Sequence, residues 1–177
     1  MDITQLLTFT HQKNGSDLHI SAGEPPMVRI DGSVTRINAP ALEAEETQAM
    51  LYDVMNDKQR KIFEAKNELD FSIELGETAR FRVNVFRQRK GMGAVFRVIP
   101  TTIKTLEQLG MPDVLMKIAQ KEKGLVLVTG PTGSGKSTTL AEMINYINDM
   151  KEGHILTIED PIEFIHPCKK CLINQRE

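Results

Sequence analysis

The stretch LVLVTGPTGSGKS, residues 125–137, carries the most specific pattern in this chain. It opens on a continuous apolar run, Leu125 to Val128, which is typical of a strand buried on both faces of a parallel sheet. From Gly130 to Ser137 it fits the pattern G-x-x-x-x-G-K-[S/T] at every fixed position. In that pattern the backbone N–H groups turn inward around phosphate oxygens, and a helix N-terminus adds its partial positive charge. The stretch therefore predicts a strand, a phosphate-binding loop and a helix in an α/β layer.

The residues within and after the loop point to a nucleotide. Leu140, Met143, Ile144 and Ile147 follow helical spacing, so they predict a helix with one apolar face. We expect Lys136 to reach the β- and γ-phosphates and the Ser137 hydroxyl to ligate Mg²⁺. The expected binding residues of the loop are Gly130, Pro131, Thr132, Gly133, Ser134, Gly135, Lys136 and Ser137. The alternative is a purely structural glycine-rich turn.

The sequence favours adenine over guanine as the base. A GTPase reads guanine through an N-K-x-D motif, and the nearest match, Asn67 to Asp70, lacks the lysine and precedes the loop. A second apolar run, Ile155 to Ile158, predicts another buried strand, which ends in the acidic residues Glu159 to Glu163. Carboxylates at the carboxyl end of a strand beside a phosphate loop lie where Mg²⁺ or an attacking water is found. From this pattern alone Asp160 is a candidate Walker B aspartate, and a solvated strand end is the alternative.

Residues 1 to about 100 predict an α+β arrangement with antiparallel strands. We expect a helix from Ile3 that Gly15 can end, a hairpin turn at Asp31-Gly32, and a helix capped by Asp57. Strand alternation predicts a turn at Gly76-Glu77, and it directs the arginines of two neighbouring strands away from the apolar side. These arginines are Arg80, Arg82 and Arg97. A solvated basic face is the simpler interpretation of their pattern.

Composition and charge exclude several classes of protein. With 177 residues and a net charge of −2, the chain is long enough for one or two small domains, and it is not a strongly basic nucleic-acid binder. No apolar run approaches the ~18 residues of a transmembrane span. No secretory signal is evident, so we expect a cytoplasmic protein. Cys168 and Cys171, with His166, would give a metal only three ligands, so we expect reduced thiols.

Taken together, these residues resemble the secretion ATPases, and most closely those that retract type IV pili. The similarity is collinear over essentially the whole chain. It includes Ser16–His19, Ala79–Asn84, Leu106–Met111, Gly130–Thr139, Thr157–Glu163 and Asn174–Glu177. The resemblance implies a PAS-like N-terminal domain over residues 1–100, a linker over 101–111, and the start of a RecA-like P-loop domain over 112–177. It also implies that the chain stops before the family's Walker B and His-box segments, as the N-terminal half of a longer protein would.

The resemblance also implies roles for individual residues. Glu163 is similar to the glutamate that activates water, and Thr138 joins the nucleotide-binding residues. Arg82 and Arg97 match arginines that reach the γ-phosphate, with Arg80 as a third candidate. The family's Walker B strand lies further downstream, which moves that assignment away from Asp160.

The implied function is that of a homohexameric ATPase motor that powers pilus retraction in twitching motility, with ATP and Mg²⁺ as cofactors. Its implied partner is the pilus platform protein of the inner membrane. The motor is implied to be cytoplasmic and to associate peripherally with that membrane, and nucleic acid is not expected as a partner. The alternatives are a pilus assembly or type II secretion ATPase and, for this chain alone, a module that binds nucleotide without turnover.

Overall fold

The computed structural model describes residues 2–76, 79–100 and 105–177, which divide into two compact units, Met1–Ile99 and Pro100–Glu177. Glu77 of the expected Gly76-Glu77 turn and residues 101–104 of the expected linker lie outside the described residues.

The first unit is a six-stranded sheet with three helices. Its elements in chain order are α1 (Ile3–Gln12), β1 (Asp17–Ser21), β2 (Met27–Ile30), β3 (Ser33–Arg36), α2 (Ala44–Asp53), α3 (Asp57–Lys66), β4 (Glu68–Leu75), β5 (Ala79–Gln88) and β6 (Gly91–Ile99). The strand order is β3-β2-β1-β6-β5-β4, and every neighbouring pair is antiparallel. The antiparallel α+β arrangement predicted for this region is confirmed.

Short-range signals explain most of the local structure. Asp31 and Gly32 both have positive φ, 47° and 82°, as the two-residue turn between β2 and β3 requires. The helix caps differ in detail from the prediction. Asn56, not Asp57, caps α3, because its side chain accepts from the Gln59 N–H while Gln59 accepts from the Asn56 N–H. At the end of α1 the left-handed residue is Asn14 rather than Gly15.

One face of the sheet and the three helices form the core. The alternating apolar residues of β5 and β6 are buried as predicted, and the helices cover them with large side chains. Fully buried members of this core are Leu7, Leu18, Ile20, Leu51, Phe63, Phe81, Val83, Val85 and Phe96. The opposite face of the sheet is therefore left to the polar residues of the same strands.

The second unit departs further from the prediction. It contains α4 (Val114–Ala119), α5 (Lys136–Met150), β7 (Gly153–Ile158) and β8 (Cys171–Arg176), and β7 pairs in parallel with β8. The strand predicted over Leu125–Val128 is wrong, since that run is not a strand and Leu125 is 83% exposed. An apolar run becomes a buried parallel strand only where neighbouring strands pair with its backbone. Among residues 105–177 no strand pairs with it, and β7 pairs instead with β8, which the sequence did not indicate.

Burial in this unit also differs from the prediction. The β7 strand forms, but Leu156 and Ile158 are exposed rather than buried. The α5 helix forms as predicted, with Met143 buried, whereas Leu140 is exposed and Glu142 is buried in its place. Periodicity located the helix and most of its predicted apolar side, since Ile144 and Ile147 are half-buried. No helix of the described residues has the length and apolar character needed to cross a membrane.

Candidate nucleotide-binding site

The glycine loop has the backbone that its sequence pattern requires. Gly130, Gly133 and Gly135 all have positive φ, at 153°, 79° and 85°. A Cβ on Gly130 would lie 2.7 Å from the Ser134 Oγ, so this position excludes any larger residue without a shift. Gly135 is the N-cap of α5, and the helix begins at Lys136. The loop is therefore joined directly to a helix N-terminus, where the orphan N–H groups and the helix dipole favour an anion.

The Lys136 side chain folds back over this loop. Its ammonium donates hydrogen bonds to the carbonyl oxygens of Gly130 at 3.0 Å and Pro131 at 2.8 Å. Thr139 donates to the Gly135 carbonyl through both its N–H and its hydroxyl, each at 2.9 Å, which fixes the first turn of the helix. The positive charge of Lys136 and the helix N-terminus thus coincide in one loop, which suits it to the phosphates of a nucleotide.

The oxygen ligands at the loop fit Mg²⁺ only when phosphate oxygens of a nucleotide bind the same ion. Ser137, in the first turn of α5, offers one exposed hydroxyl. Among the described residues no group of three or more His, Cys, Asp or Glu could hold a metal ion. Mg²⁺ in such sites keeps several waters and is held by one or two protein oxygens plus substrate phosphates. Ser137 would supply one of those oxygens, and Mg²⁺ bound there would neutralise phosphate charge.

The acidic segment after β7 is organised by β8. Glu159 accepts hydrogen bonds from the Thr157 hydroxyl at 2.7 Å and from the Gln175 amide at 3.0 Å, so its carboxylate is occupied within the fold. Asp160 is exposed, and Glu163 is partly buried in the loop that follows. The Glu159 carboxylate is therefore held by two side chains of the same unit.

The cysteines and His166 lie near the same strand but have separate partners. The Cys171 thiol donates to the Lys151 carbonyl at 3.1 Å, and the Cys168 sulfur accepts from the Ile173 N–H at 3.3 Å. Both are free cysteines. Burial lowers the pKa of His166, although the nearby charge of Glu159 works in the opposite direction. Burial therefore favours the neutral form of the ring over its charged form.

In the first unit, the polar face of the sheet carries a row of charged residues in register. Arg29, Asp17, Arg97 and Arg82 are successive Cα partners across β2, β1, β6 and β5. The Arg97 Nε lies 2.9 Å from the Asp17 Oδ1, and the Arg29 Nε lies 3.1 Å from the Asp17 Oδ2. Arg82 lies 3.5 Å from Asp70 on β4. Arg82 and Arg97, predicted on adjacent strands, are indeed directly opposite each other.

Asp17 is a functional candidate that the sequence interpretation missed. Its side chain is only 6% exposed. Burial by itself would raise its pKa, but hydrogen bonds from Arg97 and Ser16 and the charges of Arg97 and Arg29 outweigh burial and lower the pKa. Asp17 therefore stays ionised and holds two guanidinium groups at once. Asp17 lies in the matched stretch Ser16–His19, but that stretch does not indicate its ion pair with Arg97, 80 residues away.

The three arginines differ in exposure. The Arg97 side chain is 63% exposed, whereas that of Arg80 is 10% exposed and donates to the Ser72 hydroxyl at 2.8 Å. Arg80 also lies 3.8 Å from Glu74. The expectation of a solvated basic face is wrong for Arg80, because alternation fixes the side of a sheet but not how closely polar neighbours pack on it. Arg97 is the arginine best exposed for an external anion.

Comparison with known proteins finds matches that extend over nearly the whole chain. Residues 1–173 match the family model described as "Type II/IV secretion system protein". The type IV pilus retractation ATPase PilT of Pseudomonas aeruginosa is 61% identical over 177 residues, which are 100% of this chain and 52% of that protein. The twitching motility protein of Neisseria gonorrhoeae is 60% identical over 152 residues, which are 86% of this chain and 41% of that protein.

The solved structures include a similar fold with a nucleotide. The crystal structure of the pilus retraction motor PilT with bound ADP has a TM-score of 0.92 and 45% identity, and the match covers 99% of this chain and 52% of that one. The chain spans about half the length of the curated relatives that it matches.

Proposed function

The chain belongs to the type II/IV secretion system protein family, and from this premise we propose that it supplies the ATP-binding half of a motor that retracts type IV pili. The phosphate loop is the observation that carries the proposal, because Gly130, Gly135 and Lys136 combine the required backbone with a positive charge. The 61% identity to a pilus retraction ATPase supports the direction of the motor. The ADP bound to a retraction motor of similar fold supports the nucleotide.

We assign the chemistry to residues of both units. The nine residues from Gly130 to Thr138 hold ATP, and Lys136 stabilises charge on the transferred phosphate. Glu163 orients and deprotonates the attacking water, which is the role of a positioned general base. Arg82 and Arg97 reach the γ-phosphate from the first unit, and Arg80 is excluded from this role by its burial against Ser72 and Glu74. In this proposal the first unit is a PAS-like domain and the second is the start of a RecA-like domain.

This assignment couples hydrolysis to movement. A contact between an arginine and the γ-phosphate is lost when hydrolysis removes that phosphate, so the arginine changes its partner with each turnover. In the proposed homohexamer this exchange of contacts acts on the platform protein at the inner membrane, to which the motor binds peripherally. Arg97 is held by Asp17 in a largely exposed position, as an arginine that exchanges partners must be.

There are two alternative functions. The first is an ATPase that drives a different machine, and the second is a module that binds nucleotide without hydrolysing it. A type II secretion or pilus assembly ATPase would share the loop and the carboxylates, but the type II secretion protein E of Aeromonas hydrophila is only 34% identical over 174 residues. A module that binds nucleotide without hydrolysis would use the loop alone. Phosphate release by the full-length protein separates the motor from such a module.

The experiment is the substitution Lys136→Ala in cells that make type IV pili. A retraction motor that fails should leave pili assembled but unable to retract, with twitching lost and pili retained. The matched control is Lys151→Ala, because Lys151 also donates to backbone carbonyls, among them that of Gln120 at 2.9 Å, but lies at the other end of α5. Loss of surface pili in Lys136→Ala would instead identify an assembly motor, and normal twitching would refute the proposal.

A further inference from the structure

The side chain of Gln175 on β8 makes three hydrogen bonds, one to the acidic segment and two to the residues that follow it. Its amide nitrogen donates to the Phe164 carbonyl at 2.7 Å and to the Glu159 carboxylate at 3.0 Å. Its amide oxygen accepts from the backbone N–H of His166 at 2.9 Å. Gln175 thus uses its donors and its acceptor together, on both sides of the position that Glu163 occupies.

A second side chain beside β8 holds the other neighbour of Glu163. The Glu177 carboxylate accepts from the Ile162 N–H at 3.0 Å. Ile162 and Phe164, the two residues adjacent to Glu163 in the chain, are therefore both hydrogen-bonded by side chains from the end of β8. Fixing the backbone on each side of a residue restricts where its side chain can reach.

The strand that provides these groups is itself tied to the helix of the phosphate loop. Asn148 on α5 is fully buried, and its oxygen accepts from the N–H groups of Lys169 and Cys171, each at 3.1 Å. Its amide nitrogen donates to the Pro167 carbonyl at 2.8 Å. The helix that starts at Lys136 thus sets the entry to β8, and β8 sets the acidic segment.

We propose that Gln175 is a positioning residue for ATP hydrolysis, which acts through the backbone of the acidic segment to place Glu163. Gln175 does not touch the nucleotide in this proposal, and Glu177 assists it from the Ile162 side. The inference rests on the proposed function, since it needs Glu163 to be the residue that activates water. A displacement of about 1 Å in a catalytic group can lower the rate about 10²-fold. The loss of the Gln175 hydrogen bonds should therefore slow the chemical step.

The test is the substitution Gln175→Glu in the full-length protein. The introduced carboxylate keeps an acceptor for the His166 N–H, loses the donor to Phe164, and places a second negative charge beside Glu159. A second variant, Gln175→Met, keeps the approximate volume of the side chain and removes all three hydrogen bonds. For both variants we expect kcat to fall about 10²-fold, while the affinity for ADP and the KM for ATP change little.

The matched control is Asn174→Asp, the same amide-to-acid change one residue earlier on β8. Asn174 is exposed, and its side chain contacts His154 at 2.7 Å on the opposite side of the strand. We expect this variant to hydrolyse ATP at close to the wild-type rate. Equal losses in Asn174→Asp and Gln175→Glu would overturn the inference, because they would reflect a general disturbance of β8.

Two further outcomes decide between the inference and a merely structural role. Wild-type turnover in both Gln175 variants would overturn the inference. A loss of ADP affinity that matches the loss of turnover would also overturn it, because a positioning residue for water activation should spare binding. Glu163→Gln is measured in parallel. If that variant hydrolyses ATP normally, the proposed function of Glu163 fails, whereas an inactive Glu163→Gln beside normal Gln175 variants refutes the positioning role alone.

Discussion

Replacing the two arginines that share Asp17 separates a catalytic role from a structural one. Arg97→Ala and Arg29→Ala each remove one ion pair to the same buried carboxylate, at 2.9 Å and 3.1 Å respectively. Both guanidinium groups are substantially exposed, so each pair should contribute at the upper end of the range for surface pairs, about 1 kcal/mol. Each variant should therefore unfold about 2–4 °C below the wild type.

Their effects on hydrolysis should differ sharply. If Arg97 reaches the γ-phosphate, Arg97→Ala should lower the rate of ATP hydrolysis by about 10³-fold or more, as the loss of an arginine finger does. Arg29→Ala leaves Arg97 paired with Asp17, so turnover should stay close to that of the wild type. The lost stabilisation appears mainly in kcat, because the contact is strongest in the transition state.

The assay is steady-state phosphate release by the full-length protein, with thermal unfolding measured on the same samples. Equal losses of hydrolysis in Arg29→Ala and Arg97→Ala would refute the reasoning, because they would show that the ion-pair row acts only through the stability of the sheet. Unchanged hydrolysis in Arg97→Ala would also contradict the prediction, because it would show that Arg97 takes no part in hydrolysis.

Three other outcomes follow from the same geometry. Arg82→Ala, which removes the 3.5 Å pair to Asp70, should also lower hydrolysis, whereas Arg80→Ala should mainly lower the urea midpoint of unfolding. The lowered pKa of Asp17 means that its ionised form contributes stability above the unfolded-state value of about 3.9, and that this stability is lost as the pH falls through the lower folded-state pKa. Urea midpoints between pH 3 and pH 6 should therefore fall less steeply on acidification in Asp17→Asn. Gly130→Ala should weaken ADP binding in a calorimetric titration, because its Cβ would lie 2.7 Å from the Ser134 Oγ at a φ of 153°.

Sequence patterns predicted the first unit well because its signals are local. The Asp31-Gly32 turn and the alternation in β5 and β6 depend on residues close in the chain, and the structure agrees with them. The cap of α3 was misplaced by one residue, because Asn56 and Asp57 are both good capping residues and only the partner Gln59 decides between them.

The second unit was predicted less well because parallel strands depend on distant partners. The run Leu125–Val128 has the composition of a buried strand, but pairing is a property of its neighbours and not of the run itself. The β8 strand was missed because Cys171 to Arg176 alternates too weakly to indicate a strand.

In the candidate nucleotide-binding site, the loop could be predicted from the sequence because its residues are contiguous. The contacts of Asp17 with Arg97 and of Gln175 with Glu159 join residues that are 80 and 16 positions apart, so only the register of the folded strands brings them together. Neither contact has a local spacing that could have predicted it. The structure alone therefore shows what Asp17 and Gln175 contact.

The substitution Glu163→Gln tests whether Glu163 activates the attacking water, with Asp160→Asn as the matched control on the exposed carboxylate of the same segment. The measurement is phosphate release from Mg-ATP by the full-length protein, together with the dissociation constant for ADP. We expect Glu163→Gln to lower kcat by about 10² or more and to leave ADP affinity largely intact, while Asp160→Asn hydrolyses ATP normally. Near-normal hydrolysis in Glu163→Gln, with turnover lost in Asp160→Asn, would contradict this expectation.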